Sequence, residues 1–168
     1  MFRWLLVLLG IALIPSSYAG EDRIPFTPEG FASLKGKDVC SLEGEFPNEL
    51  GVDLDRRKEH AVQYRERGGI IAIFLLSRPT PRCGVVDAVL DLTPLLKTGE
   101  SPEFKCYTRH EGGTTWGKWG HVIGIANNQR GSKRFVRARL AWRVNLKEMR
   151  FEEIKDERVE CDTSGYTD

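Results

Sequence analysis

The sequence predicts a mainly β protein: a compact antiparallel β-barrel or sandwich of six to seven strands, tied by two disulfides. Short runs rich in β-branched and aromatic residues alternate with turn residues along the chain. Apolar residues at helical spacing are scarce. Four cysteines, Cys40, Cys83, Cys106 and Cys161, follow an N-terminal segment typical of exported proteins.

The N-terminal segment is interpreted as a secretory signal peptide. Arg3 precedes an apolar run at 4–14, and the small residues Ser17 and Ala19 mark a cleavage site. Eleven residues rise only about 16 Å as a helix, whereas the hydrocarbon core of a bilayer is roughly 30 Å thick. We therefore predict a signal peptide at 1–19 rather than a membrane anchor, no transmembrane segment after its removal, and a periplasmic or extracellular location.

Composition predicts one folded domain. The 168 residues include 25 Lys or Arg and 24 Asp or Glu, a balance that argues against a general nucleic-acid binder or a polybasic membrane protein. Apolar residues make up 40% of the chain and aromatic residues 10%, which argues against disorder. We divide the exported chain into an irregular N-terminal arm at 20–38, a β domain at 39–162 and a tail at 163–168.

The N-terminal half predicts one hairpin and one further strand. Residues 41–57 contain Pro47, Gly51 and many charges, and we interpret them as loop. A strand before Gly68 and Gly69 and an apolar run at 70–76 form the hairpin, because glycine supplies the positive φ angles of a tight turn. A helix over 55–67 is the alternative. Alternation over 85–92 predicts a half-buried strand.

The C-terminal half predicts strands at 104–109, 122–126, 135–144 and 149–154. The third alternates apolar and basic residues, and we expect the fourth to return beside it. Setting Val144 opposite Met149 places Trp142 opposite Phe151, which is a favourable aromatic pair. The same register places Glu153 opposite the apolar face, so a bulge at 152–153 is predicted.

The four cysteines allow three disulfide connectivities. We favour Cys83–Cys106, because it would join two neighbouring predicted strands, and Cys40–Cys161, because it would tie the two ends of the domain. Buried free thiols are the alternative. Zinc is not expected, because the cysteines form no close pairs.

A glycine-rich loop at 110–121 carries the main candidate binding residues. Trp116 and Trp119 lie three residues apart, between His110 and His121. Indole rings stack on sugars and fill pockets of protein partners, whereas the structural alternative is that they cap the end of the domain. The loop lacks the order of a phosphate-binding loop, so no nucleotide is expected.

Other polar groups suggest weaker sites. His60, His110 and His121 lack metal-ligand spacing and are interpreted as structural or surface residues. Asp87 and Asp91 resemble a paired-acid arrangement, but acidic residues on the exposed face of a strand are ordinary. Basic residues at 130–143 precede an acidic segment at 148–160, so we predict an ion-paired face and no nucleic-acid partner.

These observations favour an exported, non-catalytic β-domain that binds a protein or glycan of the cell envelope through its end loops. Inhibition of an envelope hydrolase is one concrete form. The alternatives are a small secreted hydrolase that uses His110 or His121 with a carboxylate, and a structural envelope component. No cofactor and no metal are expected.

Overall fold

The computed structural model describes residues 24–42, 48–80, 83–110, 113–115, 120–127, 134–155 and 157–163. They form one helix, α1 (Pro28–Phe31), one 3-10 turn (Val39–Ser41) and twelve strands. The strands are β1 (Asn48–Asp53), β2 (His60–Arg67), β3 (Ile70–Ser77), β4 (Val85–Asp91), β5 (Glu100–Glu103), β6 (Cys106–His110), β7 (Gly113–Thr115), β8 (Val122–Asn127), β9 (Phe135–Arg137), β10 (Leu140–Asn145), β11 (Arg150–Glu153) and β12 (Arg158–Asp162). Over these residues no helix is both long enough and apolar enough to cross a bilayer.

The strands form three antiparallel sheets. The first has the order β1-β2-β3-β4, the second β11-β10-β8-β5 and the third β7-β6-β12-β9. The arrangement is sandwich-like and not a closed barrel, so the mainly β prediction is confirmed in its sandwich form. Strands are more numerous than predicted because β1 and β7 lie in segments interpreted as loop, because no strand was predicted at β5 or β12, and because the run at 135–144 divides into β9 and β10.

The β2–β3 hairpin forms where it was predicted. Gly68 and Gly69 have φ angles of 59° and 81°, as a two-residue hairpin turn requires. His60 to Arg67 pair in sequence with Ser77 to Ile70, so the alternative helix over 55–67 is wrong. Between β3 and β4 the register shifts by one residue, which leaves Asp87 as the extra residue of a bulge.

The first and second sheets pack face to face over the main core. Val62, Ile73 and Leu75 of the first sheet belong to one buried cluster with Ile123 and Ile125 of the second. Alternation places these side chains on one face of each strand.

The opposite face of the first sheet is covered by residues 24–42. Phe31 meets Phe74 edge-on, with ring centroids 5.8 Å apart, and Leu34 is fully buried beside them. The Thr27 hydroxyl accepts a hydrogen bond from the Gly30 N–H and caps α1. The described part of the predicted arm, residues 24–38, therefore packs on the domain and completes a second core together with residues 39–42.

The third sheet packs on the outer face of the second through small residues. Cys106, Cys161 and Val159 lie in one cluster with Val122 and Ala141. The sheets approach closely at Gly124, where a Cβ atom would lie 2.6 Å from the Cys161 sulfur. Glycine is required there by the close approach, not by its φ angle.

Both predicted disulfide pairings are wrong: the structure has Cys40–Cys83 and Cys106–Cys161 instead of Cys83–Cys106 and Cys40–Cys161. Cys106 lies directly opposite Cys161 in the β6–β12 ladder. The Val39 N–H donates to the Gly84 carbonyl, which holds Cys40 beside Cys83. The prediction failed because Cys83 precedes a strand of the first sheet, whereas Cys106 lies in the third.

The predicted bulge at 152–153 is also wrong. Strands β10 and β11 form a regular ladder with Asn145 opposite Arg150, Val144 opposite Phe151 and Trp142 opposite Glu153. Met149 belongs to the turn, with a φ angle of 49°, so it is not the first residue of the returning strand. Because the turn is longer than predicted, Phe151 lies opposite Val144 and not opposite Trp142.

Candidate functional site

The loop at 110–121 begins at an edge of the third sheet. His110 is the last residue of β6 and lies opposite Gly113 of β7, the edge strand. Trp116 and Trp119 fall outside the described residues, as does the side chain of His110. Their role in binding therefore stays a prediction.

The C-terminal end of the loop is anchored on the first and second sheets. The Gly120 N–H donates to the Phe104 carbonyl, and its φ angle is 79°. His121 Nε2 lies 2.7 Å from the Leu54 carbonyl oxygen, to which the ring donates. The His121 carbonyl accepts from the Val144 N–H. His121, predicted as a binding residue, thus holds the loop to the domain with its side chain.

A second histidine closes the neighbouring turn at 54–60. The Asp55 carboxylate accepts hydrogen bonds from the backbone N–H groups of Arg57, Glu59 and His60, and its Oδ2 is 3.0 Å from His60 Nδ1. Burial raises the pKa of Asp55, but these hydrogen bonds outweigh burial and hold the pKa below its ordinary value. The pair caps a turn, which agrees with the interpretation of His60 as a structural or surface residue.

The same turn contains the described group that most resembles a metal site. Ligand atoms of Asp55, Glu59 and His60 lie within 4.8 Å of one another. The hydrogen bonds to Asp55 account for this arrangement without a cation. The two histidines described in full therefore flank one turn, and one ring nitrogen of each is engaged in holding it.

The described basic residues form ion pairs, but only in part with the acidic segment at 148–160 that was predicted. Arg143 contacts Glu157 at 3.1 Å and Arg134 contacts Asp162 at 3.7 Å. Arg139 instead contacts Glu100 of β5 at 2.6 Å. The hydrogen bond from Arg139 lowers the pKa of Glu100 to about 2, against an opposing contribution from burial.

Asp87 and Asp91 line a cavity of about 250 Å³ between α1 and β4. Lys35 lies on its wall, and Asp87 occupies the bulge, with one carboxylate oxygen buried. The paired-acid hypothesis placed both residues on one face of a regular strand. The bulge breaks that two-residue alternation between them.

A polar residue that the sequence interpretation missed is Gln63, in the middle of β2. Only 5% of it is exposed, and it lines a cavity of about 380 Å³ beside β1. It alternates with Ala61 and Arg65 on one face, a pattern visible in the sequence once β2 is taken as a strand.

Comparison with known proteins adds no assignment: no protein family matches the chain, and neither does any curated protein or solved structure.

Proposed function

We propose that this protein is an exported, non-catalytic binding domain that engages a protein or glycan of the cell envelope through the loop at 110–121. The anchoring of that loop carries the proposal. Four residues, 116–119, connect Thr115 in an edge strand to Gly120, whose backbone is held by Phe104. Fixed ends reduce the entropy lost when a loop binds a partner.

The residue types in this loop favour recognition. Both tryptophans fall in the short connection between those fixed ends. Tryptophan is enriched among the residues that dominate binding energy, and its ring also stacks on sugars. Inhibition of an envelope hydrolase is one form that such a domain could take.

The cysteines support the export component of the proposal. All four form disulfides, and structural disulfides persist in oxidising compartments such as the periplasm or the extracellular space. An N-terminal segment with the pattern of a signal peptide agrees with this location.

The test is a pull-down from envelope extract with the oxidised chain 20–168. A Trp116→Ala/Trp119→Ala variant should lose partners that the original chain retains. A Lys147→Ala/Glu148→Ala variant, altered in an exposed turn elsewhere, is the matched control and should retain them. If the tryptophan variant captures the same partners in the same amounts, the loop is not the binding site.

A further inference from the structure

The cavity beside β1 has a polar floor and an open side. Its described walls come from β1, the turn that follows β1, β2, β3 and the residues that follow β3. Ala61, Leu76 and Pro79 supply the apolar part, whereas the side chain of Val62 lies in the main core on the other face of β2, so its backbone lines the cavity. Asp53, Lys58, Gln63 and Thr80 supply the polar part, and the volume is about 380 Å³.

Gln63 is the group in this cavity that points to a ligand. Although it is 95% buried, its side-chain oxygen has no hydrogen-bond partner within the described part of the chain. A buried acceptor without a donor is destabilising, and folded proteins retain few of them. This oxygen is itself covered, so a ligand that brings an N–H group into the cavity would satisfy it once the Gln63 amide turns towards the cavity.

Gly51 has no side chain, which leaves space beside Gln63. The two residues are opposite each other in the β1–β2 ladder, so a side chain at 51 would point into the same cavity. A Cβ atom built on Gly51 meets nothing within 4 Å. Glycine inside a strand often marks the close approach of a ligand or another backbone.

The outer edge of β1 offers backbone groups to a partner. Among the described strands β1 pairs only with β2. The Leu54 N–H donates to the His60 carbonyl, so antiparallel alternation makes Gly51 and Asp53 members of non-hydrogen-bonded pairs. Their N–H and C=O groups therefore point away from β2, towards the open edge.

The rim of the cavity carries one charge of each sign. Lys58 Nζ lies 3.4 Å from Asp53 Oδ2, and both side chains are exposed. The described lining residues include no aromatic ring on which a sugar could stack. An open strand edge, a zwitterionic rim and a buried amide fit a peptide better than a glycan.

We propose that an extended peptide adds to the edge of β1, pairs with the backbone of Gly51 and Asp53, and inserts an amide side chain that donates to Gln63. Such strand addition takes affinity from backbone hydrogen bonds and specificity from pockets for alternate side chains. This site is independent of the loop at 110–121. Gly120 approaches Val52 and Leu54, which point to the other face of β1.

The probe is a blocked pentapeptide, threonine-valine-glutamine-valine-threonine, titrated into the ¹⁵N-labelled oxidised chain 20–168. We expect saturable shifts of the Gly51 and Asp53 amide signals and of the Gln63 side-chain amide. A peptide with alanine at its centre should bind about tenfold more weakly, since it lacks the donor for Gln63.

Variants distinguish a peptide-binding site from a cavity that binds nothing. Gly51→Val should abolish the shifts, and Gly51→Ala should weaken them less, because each fills part of the cavity without a clash. Arg137→Val, on the edge strand β9 of another sheet, is the control and should leave them unchanged. Gln63→Met should raise the midpoint of thermal unfolding by a few degrees and bind both peptides equally.

Three outcomes would overturn the proposal. One is the absence of saturable shifts at millimolar peptide. Another is binding that survives Gly51→Val in a chain that is otherwise folded. The third is a response of the same amides to cellobiose but to neither peptide, which would assign the cavity to a sugar.

Discussion

Gly124→Ala tests the contact between the second and third sheets. A Cβ atom at this position would lie 2.6 Å from the Cys161 sulfur and 2.9 Å from both the Cys106 sulfur and the Ala138 Cβ. Favourable contacts between carbon atoms are at about 3.5–4.0 Å, so the new methyl group overlaps its neighbours by about 1 Å. Three contacts surround it, so no single side-chain movement relieves all of them.

The cost follows from this overlap. Two of the neighbours belong to a disulfide between paired strands, so the sheets must separate locally instead. A gap of 0.5–1 Å forfeits roughly a quarter to a half of each dispersion contact. Overpacking of this kind costs up to about 3 kcal/mol. Replacing a strand glycine with alanine restores about 0.5–1 kcal/mol through lower chain entropy, which leaves a net loss of about 2 kcal/mol.

Urea unfolding measures the effect. With a slope of about 2 kcal/mol per molar urea, Gly124→Ala should unfold at about 1 M lower urea. Gly51→Ala is the control, since its new Cβ meets nothing within 4 Å, and it should unfold no earlier than the original chain. In a Cys106→Ala/Cys161→Ala background the penalty should shrink, because two of the three clashing atoms are gone. An equal penalty in both backgrounds would refute the reasoning.

Two further predictions concern stability. Cys40→Ala/Cys83→Ala removes a bridge with a sequence separation of 43 and should lower the free energy of unfolding by up to about 4 kcal/mol, measured in urea at constant pH; a loss below about 1 kcal/mol would contradict it. Glu100→Gln tests the carboxylate that Arg139 holds at a pKa of about 2, below its ordinary 4.5. Because the pKa of Glu100 is lower in the folded state, the stabilisation that its contact with Arg139 provides is present above about pH 4.5 and is lost as pH falls towards 2. The free energies of unfolding of the original chain and of Glu100→Gln should therefore converge as pH falls through that range. A difference between them that does not change with pH would contradict the assignment.

The β2–β3 hairpin could be predicted because its determinants are local. Gly68 and Gly69 specify the turn, and the apolar run that follows them specifies a buried strand. The strand β8 is defined in the same way by its own residues. By contrast, β1 contains Asn48, Gly51 and Asp53, which are poor strand formers, and its conformation depends on pairing with β2.

The disulfides could not be predicted because they depend on which sheet each strand joins. Cys83 and Cys106 lie on either side of β4 and β5, which belong to different sheets, so closeness along the chain was misleading. The register of β11 depended on one turn residue, Met149. Gln63 could have been noticed from the sequence, since a polar residue between Val62 and Tyr64 in a predicted strand is a visible exception. The His60–Asp55 contact required the turn geometry.

The two disulfides close separate stretches of chain, 40–83 and 106–161, that neither overlap nor nest. Each cysteine pairs with the next one in sequence. If the chain enters an oxidising compartment N-terminus first, as the proposed export implies, Cys40 is the partner that Cys83 meets before the later cysteines arrive. On that route the native connectivity would form in order of arrival, with less need for an isomerase to reshuffle mispaired cysteines.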